Sequence, residues 1–308
     1  MLPRRISQRS ALESERSLSH RRKIRRRGES THSLWLRVRD GVFKRPLLGQ
    51  LREYVDEQMS GMRERLVHRL RPYVRSMRYG IRAARYLFGK FPRECSVCGY
   101  HGRFFAYGNP LGFGLNLDAL CPKCLSLERH RLLVLCDKDR NLFANKEILH
   151  FAPEDGISTY IRSRGPRRYI TCEYGSSNAD LDINIEAINL PSGEVDLIVC
   201  CHVLEHVSDS KALPELFRIL RAGGVLVAMT PVIEGWARTF EDDTKLSTID
   251  NRLLYFNQHD HVRFFGSDVR DRLKSVGFAV DEYTATEPEV SKYGLIRGEK
   301  VFVCKKPI

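Results

Sequence analysis

The stretch VDLIVCCHVLEHVSDSKALPELFRILRAGGVLVAMTP, Val195 to Pro231, decides how this chain is read. It opens on a short apolar run rich in β-branched residues, the pattern of a strand covered on both faces. Polar residues follow, then a helical segment, DSKALPELFRILRAGG, whose Gly223 and Gly224 let the chain turn sharply into a second apolar run, VLVAMT. Strand, helix and strand in that order are the repeating unit of an α/β sheet.

The same alternation extends outward from this stretch. EILHFA (147–152), RYITCEY (168–174), FAVDEYTA (278–285) and KVFVCKKP (300–307) read as further strands, with a helix at GSDVRDRLKSVGF (266–278). Together they predict a doubly wound sheet whose ligands bind at the carboxyl ends of the strands, near the switch in strand order. Glu173 closes one of these strands, where an acid can accept hydrogen bonds from both ribose hydroxyls of an adenosine. Asp182, in NADLDIN, falls where a third short strand or turn would meet the adenine ring.

Upstream, Cys95, Cys98, Cys121 and Cys124 form two Cys-x-x-Cys knuckles separated by twenty-two turn-rich, aromatic residues. That is zinc-ribbon spacing. Four thiolates close the coordination sphere, so the expected Zn2+ is structural. Nine cysteines without a secretory signal favour thiols and metal ligands over disulfides. Cys136, Cys172, Cys200, Cys201 and Cys304 fall in apolar runs as buried free thiols. His101 and His130 are expected to support the zinc module.

Charge divides the chain. Residues 1–90 hold 24 Lys/Arg against 8 Asp/Glu, a net of +16 in a chain whose total is +13, which leaves −3 for the rest. An anionic partner, an RNA or a membrane surface, would therefore meet the N-terminal third. Residues 1–45 are polar and basic and read as a disordered tail. From Pro46 to residue 90 apolar positions recur every three or four residues between arginines, which predicts basic amphipathic helices interrupted near Pro72. A zinc-ribbon module at 91–140 and a catalytic domain at 141–308 complete the expected organisation. No run approaches the roughly 20 apolar residues that span a bilayer, so the expectation is a cytoplasmic protein, peripheral to the membrane at most.

The stretch Val195 to Pro231 resembles the middle of class I methyltransferases that use S-adenosyl-L-methionine (SAM), in which a strand ending in "HVLEH" precedes a helix and a Gly-Gly turn. More narrowly, CPKCLSLERHR (121–131), LHFAPE (149–154) and QHDHVRFFGSD (258–268) are similar to bacterial proteins that join a zinc ribbon to this fold. The resemblance covers about residues 91–308 and implies a seven-stranded, Rossmann-like sheet with SAM as cofactor. The family's glycine loop is altered here. Aligned on Leu149, His150 stands for the acid, Ala152 for the first glycine and Glu154 for the second, while Gly156 survives. SAM carries no phosphate and needs only close backbone approach, which Ala152 permits, and an acceptor for its ammonium, which Glu154 or Asp155 can supply.

The resemblance thus implies cofactor binding by Ala152, Glu154, Gly156, Glu173, Asp182, Cys201 and His202. Glu205 would stand near the cofactor, and His206 reads as structural. The segment between VLVAMT and the next helix, which carries Glu241, Asp242, His259, Asp260, His261 and Arg263, is the expected lid and acceptor site. Catalytic acid-base work is assigned to His259, Asp260, His261 and His202. The expected activity is methyl transfer to a small-molecule, saccharide or lipid-linked acceptor. Two alternatives stand beside it: an RNA methyltransferase held by its basic extension, and a zinc-ribbon adaptor whose methyltransferase-like domain has lost its cofactor. Against RNA, no Asn-Pro-Pro-Tyr type sequence follows the strand that ends in CCHVLEH.

Overall fold

A computed structural model describes residues 66–67, 69–81, 84, 87–108 and 115–308. The chain divides into two compact units, 1–78 and 79–308. The expected tail and the first part of the basic helices lie outside the described residues. Residues 69–81 are helical without a break at Pro72, contrary to the expected interruption. Proline removes one backbone donor from the helix, and the helix continues past that loss.

Four short strands make up the cysteine-bearing segment where the ribbon is expected. β1 (Pro92–Glu94) pairs with β2 (His101–Arg103), and β3 (Phe105–Gly108) pairs with β4 (Leu115–Leu120), both antiparallel. Then come α1 (Glu128–Arg140), β5 (Glu147–Phe151), α2 (Asp155–Ser163), β6 (Arg168–Cys172), β7 (Val195–Cys201), α3 (Asp209–Ile219) and β8 (Leu220–Met229). β9 (Phe240–Glu241), α4 (Ile249–Phe256), β10 (Arg263–Phe264), α5 (Val269–Ser275), β11 (Ala279–Tyr283), α6 (Glu289–Tyr293) and β12 (Val301–Lys305) complete the chain.

The main sheet has the order β11-β12-β8-β7-β5-β6. β6, β5, β7 and β8 are parallel; β12 joins β8 antiparallel, and β11, antiparallel to β12, ends the sheet in the direction of the other strands. Its strands read as continuous apolar runs because both faces are covered. Ile198, Cys200, Leu226, Ala228 and Phe302 pack with Leu213 and Leu216 of α3 and Leu273 of α5. Their neighbours Leu197, Val199, Val227, Met229 and Val301 pack on the other side with Leu132 and Leu133 of α1 and Ile157 and Ile161 of α2. The helix that closes the expected ribbon module therefore supplies core to the sheet.

Six strands form this sheet among the described residues, not the expected seven. The seventh shrinks to one parallel bridge between Cys172 and Leu181. Asp180 explains the loss: its carboxylate accepts from the backbone N–H (2.8 Å) and the hydroxyl (2.7 Å) of Thr171, a donor that a longer strand would have used. A second departure lies at Gly223 and Gly224. The helix ends at Ile219, earlier than expected, and both glycines sit in a bulge of β8 opposite Asp196. A Cβ on Gly224 would lie 2.9 Å from the Arg221 carbonyl and 3.1 Å from that of Asp196, so only glycine fits the turn.

Candidate functional site

Strand order reverses around β5, which has β6 on one side and β7 on the other. Both β5 and β7 leave the sheet through a left-handed non-glycine residue, Ala152 (φ 48°) and His202 (φ 55°). Such conformations cost about 1–2 kcal/mol each and cluster at functional sites. Ala152 thus occupies the backbone shape a glycine would favour. Its N–H donates to the Cys172 carbonyl (2.9 Å), and the His202 N–H donates to that of Met229 (2.8 Å). These bonds pin both exits to the neighbouring strands at the carboxyl ends of β5, β6 and β7, the place where a sheet of this strand order leaves a crevice for a ligand.

Glu173 follows β6 at its carboxyl end. Its backbone N–H is engaged by Leu181, while its carboxylate has no hydrogen bond or ion pair to any described residue. Asp182 instead closes the adjoining loop, its Oδ1 accepting from the Gly175 N–H at 2.8 Å. His150, in place of the usual acid, is buried and bonded through Nδ1 to the Tyr169 hydroxyl (2.7 Å). Burial pushes its pKa down to about 3 and keeps it neutral.

Glu154 behaves differently from expectation. It lies at the N-terminus of α2, where Arg129 and His130 of α1 both grip its carboxylate. The Leu127 N–H donates to His130 Nδ1 (3.0 Å), so the imidazole presents its proton to Glu154 from Nε2. Burial raises the Glu154 pKa, but the His130 and Arg129 contacts outweigh it and hold the group down to about 2. Gly156 is also accounted for by packing, since a Cβ there would stand 3.3 Å from the Cys124 carbonyl. In this region the ribbon rests on the loop that the sequence assigned to the cofactor.

On the other side of the crevice Cys201 and His202 end β7 as expected. His202 Nδ1 is 3.1 Å from Glu205 Oε1, within ion-pair reach, although Oε1 makes no aligned hydrogen bond. Burial pushes the Glu205 pKa up, yet His202 beside it prevails and keeps it below the ordinary value. Glu205 Oε2 accepts from the Thr230 hydroxyl at 3.0 Å. Sequence reasoning missed Glu299, at the approach to β12. Burial lifts its carboxyl to about 7 against the favourable field of His202, and Oε2 has no partner. His202 Nε2, Glu205 Oε1, His261 Nδ1 and Glu299 Oε2 are all buried and unsatisfied, and such atoms in native proteins mark ligand or water positions.

The expected HDH cluster splits. His261 is buried (8% exposed) beside Glu205 and His206, whereas His259 and Asp260 are exposed. Asp260 reaches back to His206. The expected lid is a small structured excursion: β9 pairs with β10, Asp242 caps the turn at Thr244, and Glu241 and Arg263 join an ion-pair network with Asp209 and Arg272.

The ribbon cysteines meet a geometric test for a metal. All four Sγ atoms lie within 4.8 Å of one another. Cys95 and Cys124 are 3.6 Å apart, and Cys98 and Cys121 are 3.7 Å apart. The edge of a tetrahedron built on zinc–sulfur bonds of about 2.3 Å is about 3.8 Å. The knuckles are alike: the N–H of Gly99 and that of Leu125, both left-handed, return to the carbonyls of Cys95 and Cys121 at 2.9 Å. Arg131, fully buried, holds this unit to the domain. Its guanidinium donates to the carbonyls of Ala119 (2.9 Å), Ser126 (2.8 Å), Tyr293 (2.6 Å) and Gly294 (2.9 Å) and lies 4.6 Å over the Phe104 ring.

Residues 158–228 match the sequence model of the family described as "Methyltransferase domain". The match begins just beyond the altered loop and ends within β8. No curated protein sequence matches the chain. Among solved structures it is similar to the S-adenosylmethionine dependent methyltransferase from Mesorhizobium loti, with 13% identity and a TM-score of 0.40 over 54% of this chain and 93% of that one. It is also similar to the 1,6-didemethyltoxoflavin-N1-methyltransferase of Burkholderia thailandensis, with 12% identity and a TM-score of 0.41 over 57% of this chain and 77% of that one. Residues 158–228 thus carry the sequence pattern of a methyltransferase domain.

Proposed function

We propose that this protein transfers a methyl group from SAM to a small-molecule, saccharide or lipid-linked acceptor. The observation that carries the reading is the uncommitted Glu173 carboxylate at the rim of a crevice entered by left-handed Ala152 and His202. Glu173 would accept the ribose hydroxyls, and the backbone at Ala152, with Asp182 bracing the next loop, would receive the rest of the nucleoside. When bound, SAM supplies an electrophilic methyl group whose displacement demands alignment above all else. The chain's own part is to orient the acceptor and to take a proton where the acceptor is weakly acidic. His202, paired to Glu205 and open at Nε2, is placed for that role. The ribbon would hold Zn2+ through Cys95, Cys98, Cys121 and Cys124 as a closed structural site, bracing α1 and through it the Arg129–His130 grip on Glu154.

The basic helix supports docking on an anionic lipid surface. Leu70, Tyr73, Met77 and Ile81 are exposed beside Arg69, Arg71 and Arg78. A lipid-linked acceptor would then be met at the surface where it resides.

The adaptor reading keeps one specific support, the engagement by Arg129 and His130 of Glu154, one of the two expected ammonium acceptors, beside which Asp155 remains. Turnover separates the two. Zinc-loaded full-length protein, incubated with SAM and pools of saccharides or polyprenyl-linked saccharides, is expected to release S-adenosylhomocysteine in an acceptor-dependent manner. Binding of SAM without turnover in any pool would overturn the acceptor class, and failure to bind SAM would leave the adaptor.

A further inference from the structure

We propose that Glu205, His206 and His261 form a second metal site, for a divalent first-row transition ion such as Zn2+ or Co2+, distinct from the four-cysteine ribbon. One ligand atom from each of the three residues lies within 4.8 Å of the others. The residues come from two separate segments, the turn after β7 and the strand entry at β10, and a backbone bond from the Val262 N–H to the Glu205 carbonyl (3.0 Å) holds those segments together. The His206 and His261 rings meet edge to face at 4.7 Å between centroids.

Two of the donors are buried without a hydrogen bond. Glu205 is 1% exposed and Oε1 is unsatisfied; His261 is 8% exposed and Nδ1 is unsatisfied. A buried polar atom without a hydrogen bond is destabilising; a cation shared between these two satisfies both, with His202 Nδ1 standing 3.1 Å from the same Glu205 oxygen as a further neighbour. The surrounding groups have the arrangement that metal ligands require of their supports. Thr230 holds the other Glu205 oxygen at 3.0 Å. Asp260 stands behind His206, its carbonyl oxygen 3.3 Å and its carboxylate 3.4 Å from Nδ1, which leaves Nε2 as the free nitrogen. Asp260 is thus the positioning residue of a carboxylate–histidine–metal series, and the exposed His259 has no part in it.

Two imidazoles and one carboxylate suit zinc, iron or cobalt and leave coordination positions open. The site stands one turn beyond His202, so an acceptor hydroxyl bound to the ion would be presented to the crevice with its proton weakened. Occupancy of the site does not depend on SAM, so this inference and the methyl-transfer reading fail separately.

The test is metal content and the Co2+ absorption spectrum of the full chain, for wild type, His206→Gln and His261→Gln. The wild type is expected to bind a second equivalent after the ribbon is filled, with weak ligand-field bands and no added thiolate-to-cobalt charge transfer. Both variants should lose that second equivalent while keeping the thiolate band, which reports that the ribbon and its support remain folded. Asp260→Asn, which keeps all three ligands, should weaken the second equivalent about 10- to 100-fold. A wild type that stops at the ribbon's single equivalent, or variants that retain the second one, would overturn the proposal.

Discussion

Replacing Arg131 by methionine should destabilise the protein more than any ordinary core substitution. The guanidinium is fully buried and donates to four carbonyls, two on the ribbon side (Ala119, Ser126) and two at the end of α6 (Tyr293, Gly294). Hydrogen bonds from a charged donor contribute about 1.5–3 kcal/mol each. Their simple sum overstates the loss, because carbonyls freed near the surface find water. Each carbonyl that stays buried without its donor costs about 1–3 kcal/mol, and the lost stacking over Phe104 adds roughly 0.5–2 kcal/mol. A total near 4 kcal/mol lowers the melting temperature of a unit this size by about 8–16 °C. Urea unfolding of the zinc-loaded full chain, followed by circular dichroism, measures this directly. Arg131→Lys should recover less than half, because one ammonium cannot span carbonyls on two separate segments. A methionine variant that loses under about 1 kcal/mol would refute the view that this arginine bolts ribbon to sheet.

Three further outcomes follow from the same contacts. Glu299 has its folded pKa raised from 4.5 to about 7 by burial, so the folded state binds the extra proton and stability should fall as pH rises from about 4.5 through 7, by up to about 3 kcal/mol; Glu299→Gln should flatten that slope in unfolding curves at pH 5 and 8, and an unchanged slope would contradict the assignment. Chelation of the ribbon metal, or Cys121→Ser, should loosen α1 and speed amide exchange at Arg129 and His130, whereas unaltered exchange would detach the ribbon from the crevice. Binding to vesicles containing anionic lipid should weaken steeply as salt rises and collapse when Arg69, Arg71 and Arg78 are changed to glutamine; tighter binding to RNA than to vesicles would reverse the choice of partner.

The sheet was legible because its strands are buried on both faces, and a strand so placed must be apolar at every position, as in Leu197 to Cys201. The gathering of the four cysteines was legible because two Cys-x-x-Cys pairs at this separation have the spacing that a tetrahedral ion would require. The seventh strand failed on one side chain, Asp180, whose capture of Thr171 no periodicity could reveal. Helix and strand met earlier than the glycines suggested because β8 begins pairing at Leu220 and absorbs Gly223 and Gly224 as a bulge. At the site, the altered loop was visible as residues but not as a contact. Only the folded chain brings Arg129 and His130 onto Glu154, and only it joins His206 to His261 while leaving His259 outside. The local cue HDH pointed to neighbours in sequence, whereas the group that assembles is drawn from the turn after β7 and the approach to β10.

SAM is expected to bind beyond the carboxyl ends of β5, β6 and β7 through Glu173. Calorimetric titration of SAM and of S-adenosylhomocysteine into the zinc-loaded full chain, beside Glu173→Ala, tests it. Both ligands should bind the wild type saturably, with at least a 10-fold loss in the variant, about 1.4 kcal/mol or more. Equal affinity in both proteins, or no binding to folded wild type, would contradict it.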